Sequence, residues 1–235
     1  VFLSCLSLAQ TEKKDEHLSE HQKSYNSKAI SLGIGKYSLK HFYKYGVNIN
    51  KLDELKNEGI DLIELSHSKP ARYAEISLYS TTIVQGTIIS KTYHLGKNNY
   101  FHTTYKIQID NVVKGCIDKK VIEIKTISGL VDDNTDTYVT MLHEPSYFLG
   151  EKSLFLLDKF DFQYYEEGRK YSPSLTNTIF NIDFEQFIVQ AKYTLKSGYF
   201  LDYQKRKIGT QEEVLSQIKR IEDINNTSGF SEIKF

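Results

Sequence analysis

The residues best spaced for chemistry stand in an acidic run, Asp132-Asp133-Asn134-Thr135-Asp136. Oxygen donors at alternate positions, Asp132, Asn134 and Asp136, match the first half of a calcium loop, where a hard cation gathers carboxylate and carbonyl oxygens. The second half departs from the pattern: Thr137 stands where the loop turns on Gly, and His143 where it closes on Glu, with Glu144 one residue late. The run therefore reads as a solvated acidic turn, and no metal or other cofactor is expected. His17 and His21 stand four apart and would share a helix face, but no third ligand neighbours them. His143-Glu144 is followed by Pro145, which forbids the helix that a two-histidine zinc site needs. No serine sits in a G-x-S-x-G elbow. Glu166 and Glu167 are adjacent in a loop-like stretch and point apart, whereas glycoside cleavage needs two carboxylates facing one bond. Gly33-x-Gly35 lacks the third glycine and the preceding strand of a dinucleotide loop. Cys116 follows a turn glycine with no partner to tune its thiol. No catalytic set emerges.

The densest cluster of recognition-type side chains is Lys36, Tyr37, Phe42, Tyr43 and Tyr45, interleaved with Lys40, His41 and Lys44. Basic residues among aromatics can stack on single-stranded nucleic acid, form a protein contact, or make the apolar side of an added helix. Charge weighs against the first use. Lysine plus arginine number 30 and aspartate plus glutamate number 30, so there is no basic excess to displace phosphate counterions. A protein or glycan is the expected partner, and nucleic acid is not.

These residues must be placed by a fold. Of 235 residues, 40% are hydrophobic and 26% charged, which is ordinary globular usage and enough for a good-sized core. Val1 to Ala9 is apolar or small and is followed by the charged run Thr11 to Glu16. It reads as the tail of a secretory signal, with cleavage near Ala9–Gln10 and export as the expectation. Phe2-Leu3-Ser4-Cys5 faintly resembles a lipobox, but the apolar run continues past Cys5, which is wrong for a lipid anchor there. If Cys5 leaves with the signal, Cys116 is alone and the fold stands without an intramolecular disulfide. No later stretch reaches the ~18–20 apolar residues that span a bilayer.

The expected organisation is one compact unit with four parts. Residues 1–9 are the signal remnant, 10–70 a polar arm and helical extension, 71–183 a small β-barrel, and 184–235 helices packed on it. The stretch 10–30 is polar and without period, and reads as a mobile arm with a short helix as the alternative. Asn50 to Leu65 is helical in pattern, with Asn50 as cap and Gly59 as breaker. From Ala74 the period becomes two. Ser80–Lys91, Thr103–Val113 and Lys120–Ser128 alternate and are rich in β-branched residues, while Leu154–Leu157 is a continuous apolar run suited to a strand buried on both faces. Tyr164–Ser172 and Asn177–Ile182 are two further strand candidates. Phe184, Phe187, Ile188, Ala191 and Leu195 recur at helical spacing, with Asp183 as cap and Ser197-Gly198 as terminator. A last helix opens on the capping box Thr210 and Glu213, with Val214, Leu215, Ile218 and Ile221 along one face. The fold class is mostly β with added helices: a small antiparallel barrel with helical extensions at both ends.

Several pieces in order resemble the netrin-like, or TIMP-like, OB-fold domain of secreted bacterial proteins. They are Ile83 to Ile88 with the central Gly86, Thr104 to Gly115 ending in Val-Lys-Gly, Ser128 to Val131, Pro145 with Leu149 to Leu156, and Asn177 to Asp183. The resemblance covers about residues 74 to 183 and implies a small closed barrel. Three glycines fit it structurally: Gly86 at a bulge, Gly115 in a hairpin turn, and Gly150 at the sharp entry to the buried strand. The family's amino-terminal cysteine, by which animal members bind a protease's zinc, is absent here, so that inhibitory mechanism does not carry over. The expectation is an exported, non-catalytic interaction module. The alternatives are a structural subunit of an envelope assembly, and a hydrolase whose site is assembled from scattered residues.

Overall fold

The computed structural model describes residues 18–95, 101–126, 129–132, 137–139, 145–159 and 187–226. The chain divides into two compact units, Val1–Pro70 with Asn225–Phe235, and Ala71–Ile224. The one compact unit expected from the sequence is thus two. The first seventy residues hold enough apolar side chains to bury a core of their own: Phe42, Val47, Ile49, Leu55 and Ile60 are all essentially inaccessible.

The first unit is helical. Helix Glu20–Ser31 starts on a capping box in which Ser19 Oγ accepts from Gln22 N at 3.2 Å and Gln22 Oε1 accepts from Ser19 N at 2.9 Å. Over residues 20–30 the stretch thus takes the short helix given as its alternative rather than the mobile arm, and residues 10–17 lie outside the described residues. The helix buries only Tyr25 and Ala29, so its apolar stripe is too thin to register as a period. Short helices follow at Leu39–Lys44, Leu52–Asn57 and Leu62–Leu65, with 3₁₀ turns at Lys36–Ser38 and Ile49–Lys51. The cap ahead of Leu52–Asn57 lies at Asn48, before the 3₁₀ turn Ile49–Lys51, rather than at Asn50: Asn48 Oδ1 accepts from Asn50 N at 3.1 Å. Asn48 is fully buried, and its own N–H donates to Asn225 Oδ1 at 2.8 Å while Asn225 Nδ2 donates to Gly46 O at 3.0 Å.

The second unit is α+β. Tyr73–Leu78, where the sequence suggests alternation, is a helix. Six residues are too few to show a period, and the turn is fixed instead by Glu75, whose Oε2 accepts from Ala71 N and Arg72 N. The strands are β1 (Thr82–Leu95), β2 (Phe101–Lys114), β3 (Val121–Thr126), β4 (Gly129–Asp132), β5 (Thr137–Val139), β6 (Lys152–Lys159), β7 (Phe187–Lys196), β8 (Tyr199–Leu201) and β9 (Lys207–Thr210). Seven form one sheet in the order β3-β2-β1-β6-β7-β8-β9, and β4 and β5 pair separately. All neighbours are antiparallel except for a parallel contact of β3 with β7 at Ile124↔Phe187, which partly closes the sheet into a ring.

The strand β6 is the hinge of the packing. Phe155 and Leu157 enter the core inside the ring with Val84, Ile107 and Ile124. Leu154 and Leu156 point the other way, toward Ile83, Phe200, Val214 and Ile218. All four β6 residues are inaccessible, as the unbroken apolar run demands. The outer cluster is roofed by helix Gln211–Asn226, which opens on the expected capping box: Thr210 N donates to Glu213 Oε2 at 2.8 Å, and Glu213 N to Thr210 Oγ1 at 3.2 Å. Lys114 Nζ, 3.0 Å from Glu222 Oε2, ties this helix to the sheet.

Residues 187–196, expected as a helix, are the strand β7. The stretch satisfies both periods, since Phe187, Val189, Ala191, Tyr193 and Leu195 also alternate. Pairing with β6 over Ser153↔Thr194 to Lys159↔Phe187 decides between them. Ser197-Gly198 does not end a helix but makes the two-residue turn to β8, with φ of 51° and 79° and Lys196 paired to Tyr199. The candidate strands at 164–172 and 177–182, and the closing piece 177–183, lie outside the described residues.

Gly86 stands where the β1–β2 register shifts, and a Cβ there would lie 2.5 Å from Ile107 Cγ2 and 2.6 Å from Gln108 O. Gly115 turns at φ +82°, and a Cβ would meet Thr81 O at 2.6 Å. Gly150, at φ +78°, lies in the turn that leads into β6. Because the obstacle at Gly86 includes backbone, Gly86→Ala should destabilise the second unit by about 2 kcal/mol in urea titration. A loss under ~0.5 kcal/mol, the scale of a neutral surface change, would show that the strands do not approach this closely.

Candidate functional site

A cleft of about 470 Å³ opens in the second unit. One wall is the lead-in and first turns of helix Tyr73–Leu78, bringing Arg72, Tyr73 and Ile76. The other is the turn between β8 and β9, bringing Asp202, Tyr203 and Arg206, with Ile208 beyond it. Gln190 to Tyr193 of β7 and Pro145 complete the lining.

Both arginines are braced. Arg72 Nε donates to Glu75 Oε1 at 2.7 Å, and Nη2 reaches the same oxygen. Arg206 Nε donates to Asp202 Oδ2 at 2.7 Å, while Asp202 Oδ1 accepts from the N–H groups of Gln204 and Arg206. The carboxylates are recessed, 13% and 11% exposed, and the guanidinium groups are presented outward, 60% and 68% exposed. For Glu75, burial acts to raise the pKa, but the N–H donors of Ala71 and Arg72 and the guanidinium outweigh it, and the carboxyl titrates below its ordinary range. Asp202 follows the same pattern, burial being outweighed by the backbone and side-chain donors of Arg206 and by Gln204 N. Two self-compensated ion pairs leave this part of the wall rich in hydrogen-bonding groups and without net charge.

Aromatic surface lies between them. The Tyr73 and Tyr193 rings meet edge to face at 6.2 Å, and the Tyr73 hydroxyl bonds Gln217 Oε1. Burial, with smaller contributions from Asp202, Tyr73 and Glu75, raises the Tyr193 pKa, so it stays a neutral phenol. Tyr203 is 53% exposed at the rim.

A second polar cluster lies on the opposite face of β7. Lys192 Nζ, on a side chain only 2% exposed, lies 2.6 Å from Glu151 Oε2 and donates to Ser146 O at 2.5 Å. Thr194 Oγ1 donates to Glu151 Oε1 at 2.5 Å, and Phe148 N to Glu151 Oε2 at 3.3 Å. The ammonium sits 5.1 Å from the Tyr147 ring centroid, and Tyr147 stacks on Tyr105 at 4.6 Å. Burial lowers the Lys192 pKa, and Glu151 only partly opposes it. This network bolts the 146–151 turn to the sheet. The turn carries Phe148 and Leu149 outward, 65% and 64% exposed.

The residues singled out from sequence lie elsewhere. Among the basic-aromatic set of the first unit, Phe42 is fully buried and is a core residue, not a contact residue. Tyr43 packs on Tyr25 at 5.4 Å and its hydroxyl meets His21 Nδ1 at 3.2 Å. Tyr45 is half-buried under Lys44, whose Nζ lies 4.8 Å from the ring centroid. Lys36 and Tyr37 are exposed, Tyr37 almost wholly at 97%. The set is thus split between core and surface by helix Leu39–Lys44. Asp132 ends β4, while Asn134, Asp136 and His17 lie outside the described residues. Among the described residues no group of three metal-ligating side chains converges. Cys116 is exposed, and no helix of the described residues is long and apolar enough to cross a membrane.

The cleft escaped sequence reading because its walls are 130 residues apart in the chain. One signal was available: the chain has four arginines (72, 169, 206 and 220), and two of them flank the cleft, each spaced from a carboxylate by three or four residues. No protein-family model and no curated protein matches the chain.

Proposed function

We propose that the chain is an exported, non-catalytic binding module whose ligand seats in the cleft between helix Tyr73–Leu78 and the β8–β9 turn. The observation that carries this reading is the character of the cleft wall. Tyrosine and arginine, the side chains that dominate recognition surfaces, converge there from a helix, a strand and a turn, and the described lining includes no serine, cysteine or histidine. Its one carboxylate, Asp202, is held ionised by three donors, which suits bracing an arginine better than moving a proton. Export is supported by the apolar Val1–Ala9 run ahead of the charged Thr11–Glu16 stretch.

We read the ring of the second unit as an OB-type barrel of the netrin-like kind. Supporting this are the order β3-β2-β1-β6-β7, the parallel contact that brings β7 back to β3, and Gly86 at a bulge of β1.

The test is affinity capture from envelope and culture-medium fractions by the wild-type chain, Tyr203→Ala and Arg206→Ala. A stoichiometric ligand should be retained by the wild type and lost about tenfold in each variant at unchanged thermal stability. Capture that both variants retain in full would remove the cleft from the reading. A second reading, a subunit of a larger envelope assembly, is favoured by one observation: the outward Phe148–Leu149 pair on a turn held fixed by Lys192 and Glu151. Self-association abolished by Leu149→Asp would establish it.

A further inference from the structure

Four consecutive residues of β7, Gln190, Ala191, Lys192 and Tyr193, line the cleft. The ladder to β6 shifts register at Gln190, but beyond that bulge Ala191, Lys192 and Tyr193 follow one another with side chains on alternate faces, so a cavity that touches all three touches the strand's edge. The pairings bear this out. One edge of β7 is bonded to β6 from Phe187 to Thr194, with a register shift between Val189 and Ala191. The other meets β3 only at Phe187 and β8 only from Thr194 to Lys196. Between these contacts, residues 188–193 have no strand partner and no backbone hydrogen bond on that edge among the described residues.

We propose that the cleft takes an extended peptide, which adds as a strand to the 188–193 edge of β7. This rests on the cleft being the binding site. The open edge is a row of about six residues, roughly 20 Å at 3.3 Å per residue. It is closed at one end by β3 and at the other by β8, so it admits a short strand and no more. Main-chain hydrogen bonds to such an edge supply affinity, and the walls supply specificity through alternate side chains. Ala191 and Tyr193 face the outer core, where Tyr73, Ile76 and Ile208 pack against the same cluster. The ligand's side chains on that face meet an apolar and aromatic wall. Those on the other face meet Pro145 and the Lys192 side of β7. A ligand with apolar residues at alternate positions fits.

A phage-displayed random peptide library, panned against the full chain, supplies the probe. The selected peptide should carry apolar residues at every second position. Its binding should slow amide exchange at residues 188–193. Methylating its backbone nitrogens one at a time should weaken binding about tenfold at alternate positions and under about twofold between them, because only every second N–H of an added strand faces β7. A flat methylation scan, or slowed exchange elsewhere only, would overturn the strand. So would amides at 188–193 already protected in the free chain, since the edge would then be occupied by the protein itself. A library that yields no binder, while a ligand captured from cell fractions still depends on Tyr203 and Arg206, would overturn the peptide and leave the cleft as the site. Loss of that dependence as well would remove both.

Discussion

Replacing Lys192 with alanine should destabilise the second unit by about 3–5 kcal/mol, the range for breaking a buried ion pair from one side. The cost is not the value of the attraction. It arises because Glu151, 14% exposed, would keep its charge without the ammonium, while Ser146 O would lose its donor. The pair itself contributes little against an apolar substitute, as the lowered pKa of Lys192 indicates: burial disfavours the ammonium by more than Glu151 restores. Lys192→Met combined with Glu151→Leu should therefore recover a large part of the loss, short of full recovery because Phe148 N also loses its acceptor. The pH dependence has a definite sign. Between the lowered folded pKa and the ordinary lysine value of about 10.4 the unfolded chain binds more protons, so stability rises with pH across that alkaline window. Lys192→Met should abolish the rise. Urea titrations of the four combinations at neutral and alkaline pH measure all of this. An Ala variant that loses less than ~1 kcal/mol would mean that the ammonium is not held as described.

Strand β3, which alternates cleanly, and the unbroken Leu154–Leu157 run were legible because their burial pattern is a local property. Val121–Thr126 alternates half-buried and buried at every residue. The final helix was legible for the same reason, with a cap and a stripe in one stretch. What misled was β7. Its residues fit a helix as well as a strand, and only pairing with Ser153–Lys159, about forty residues earlier, settles the matter. The error propagates to function, since the open edge of β7 is visible only once β7 is a strand. The hairpin β8–β9 is three and four residues long and has no period to read. Likewise, Phe42 and Tyr37 stand in one basic-aromatic run, yet one is inaccessible and the other 97% exposed. Residue types located that cluster, and helix geometry divided it.

Phe155→Ala should be as costly as any change to the chain, about 3–5 kcal/mol. Phe155 is inaccessible and sits mid-strand in β6, flanked in the sheet by Val84 of β1 and Lys192 of β7. It fills the ring interior with Ile107, Ile124 and Leu157, which belong to strands already fixed by their backbone ladders. A ring of paired strands cannot contract around a missing phenyl group as a loose helix bundle can, so most of the cavity should persist and the cavity penalty should add to the lost transfer energy. Phe155→Leu keeps most of the volume and should cost roughly half as much. Tyr37→Ala, removing a ring of similar size from a 97% exposed position, should stay within about 0.5 kcal/mol. Amide exchange of Leu154–Leu157, the backbone at the centre of the sheet, reads the effect on the second unit directly. If that exchange is unchanged in Phe155→Ala, the interior of the ring is not packed around β6, and the two-faced burial that organises this unit fails with it.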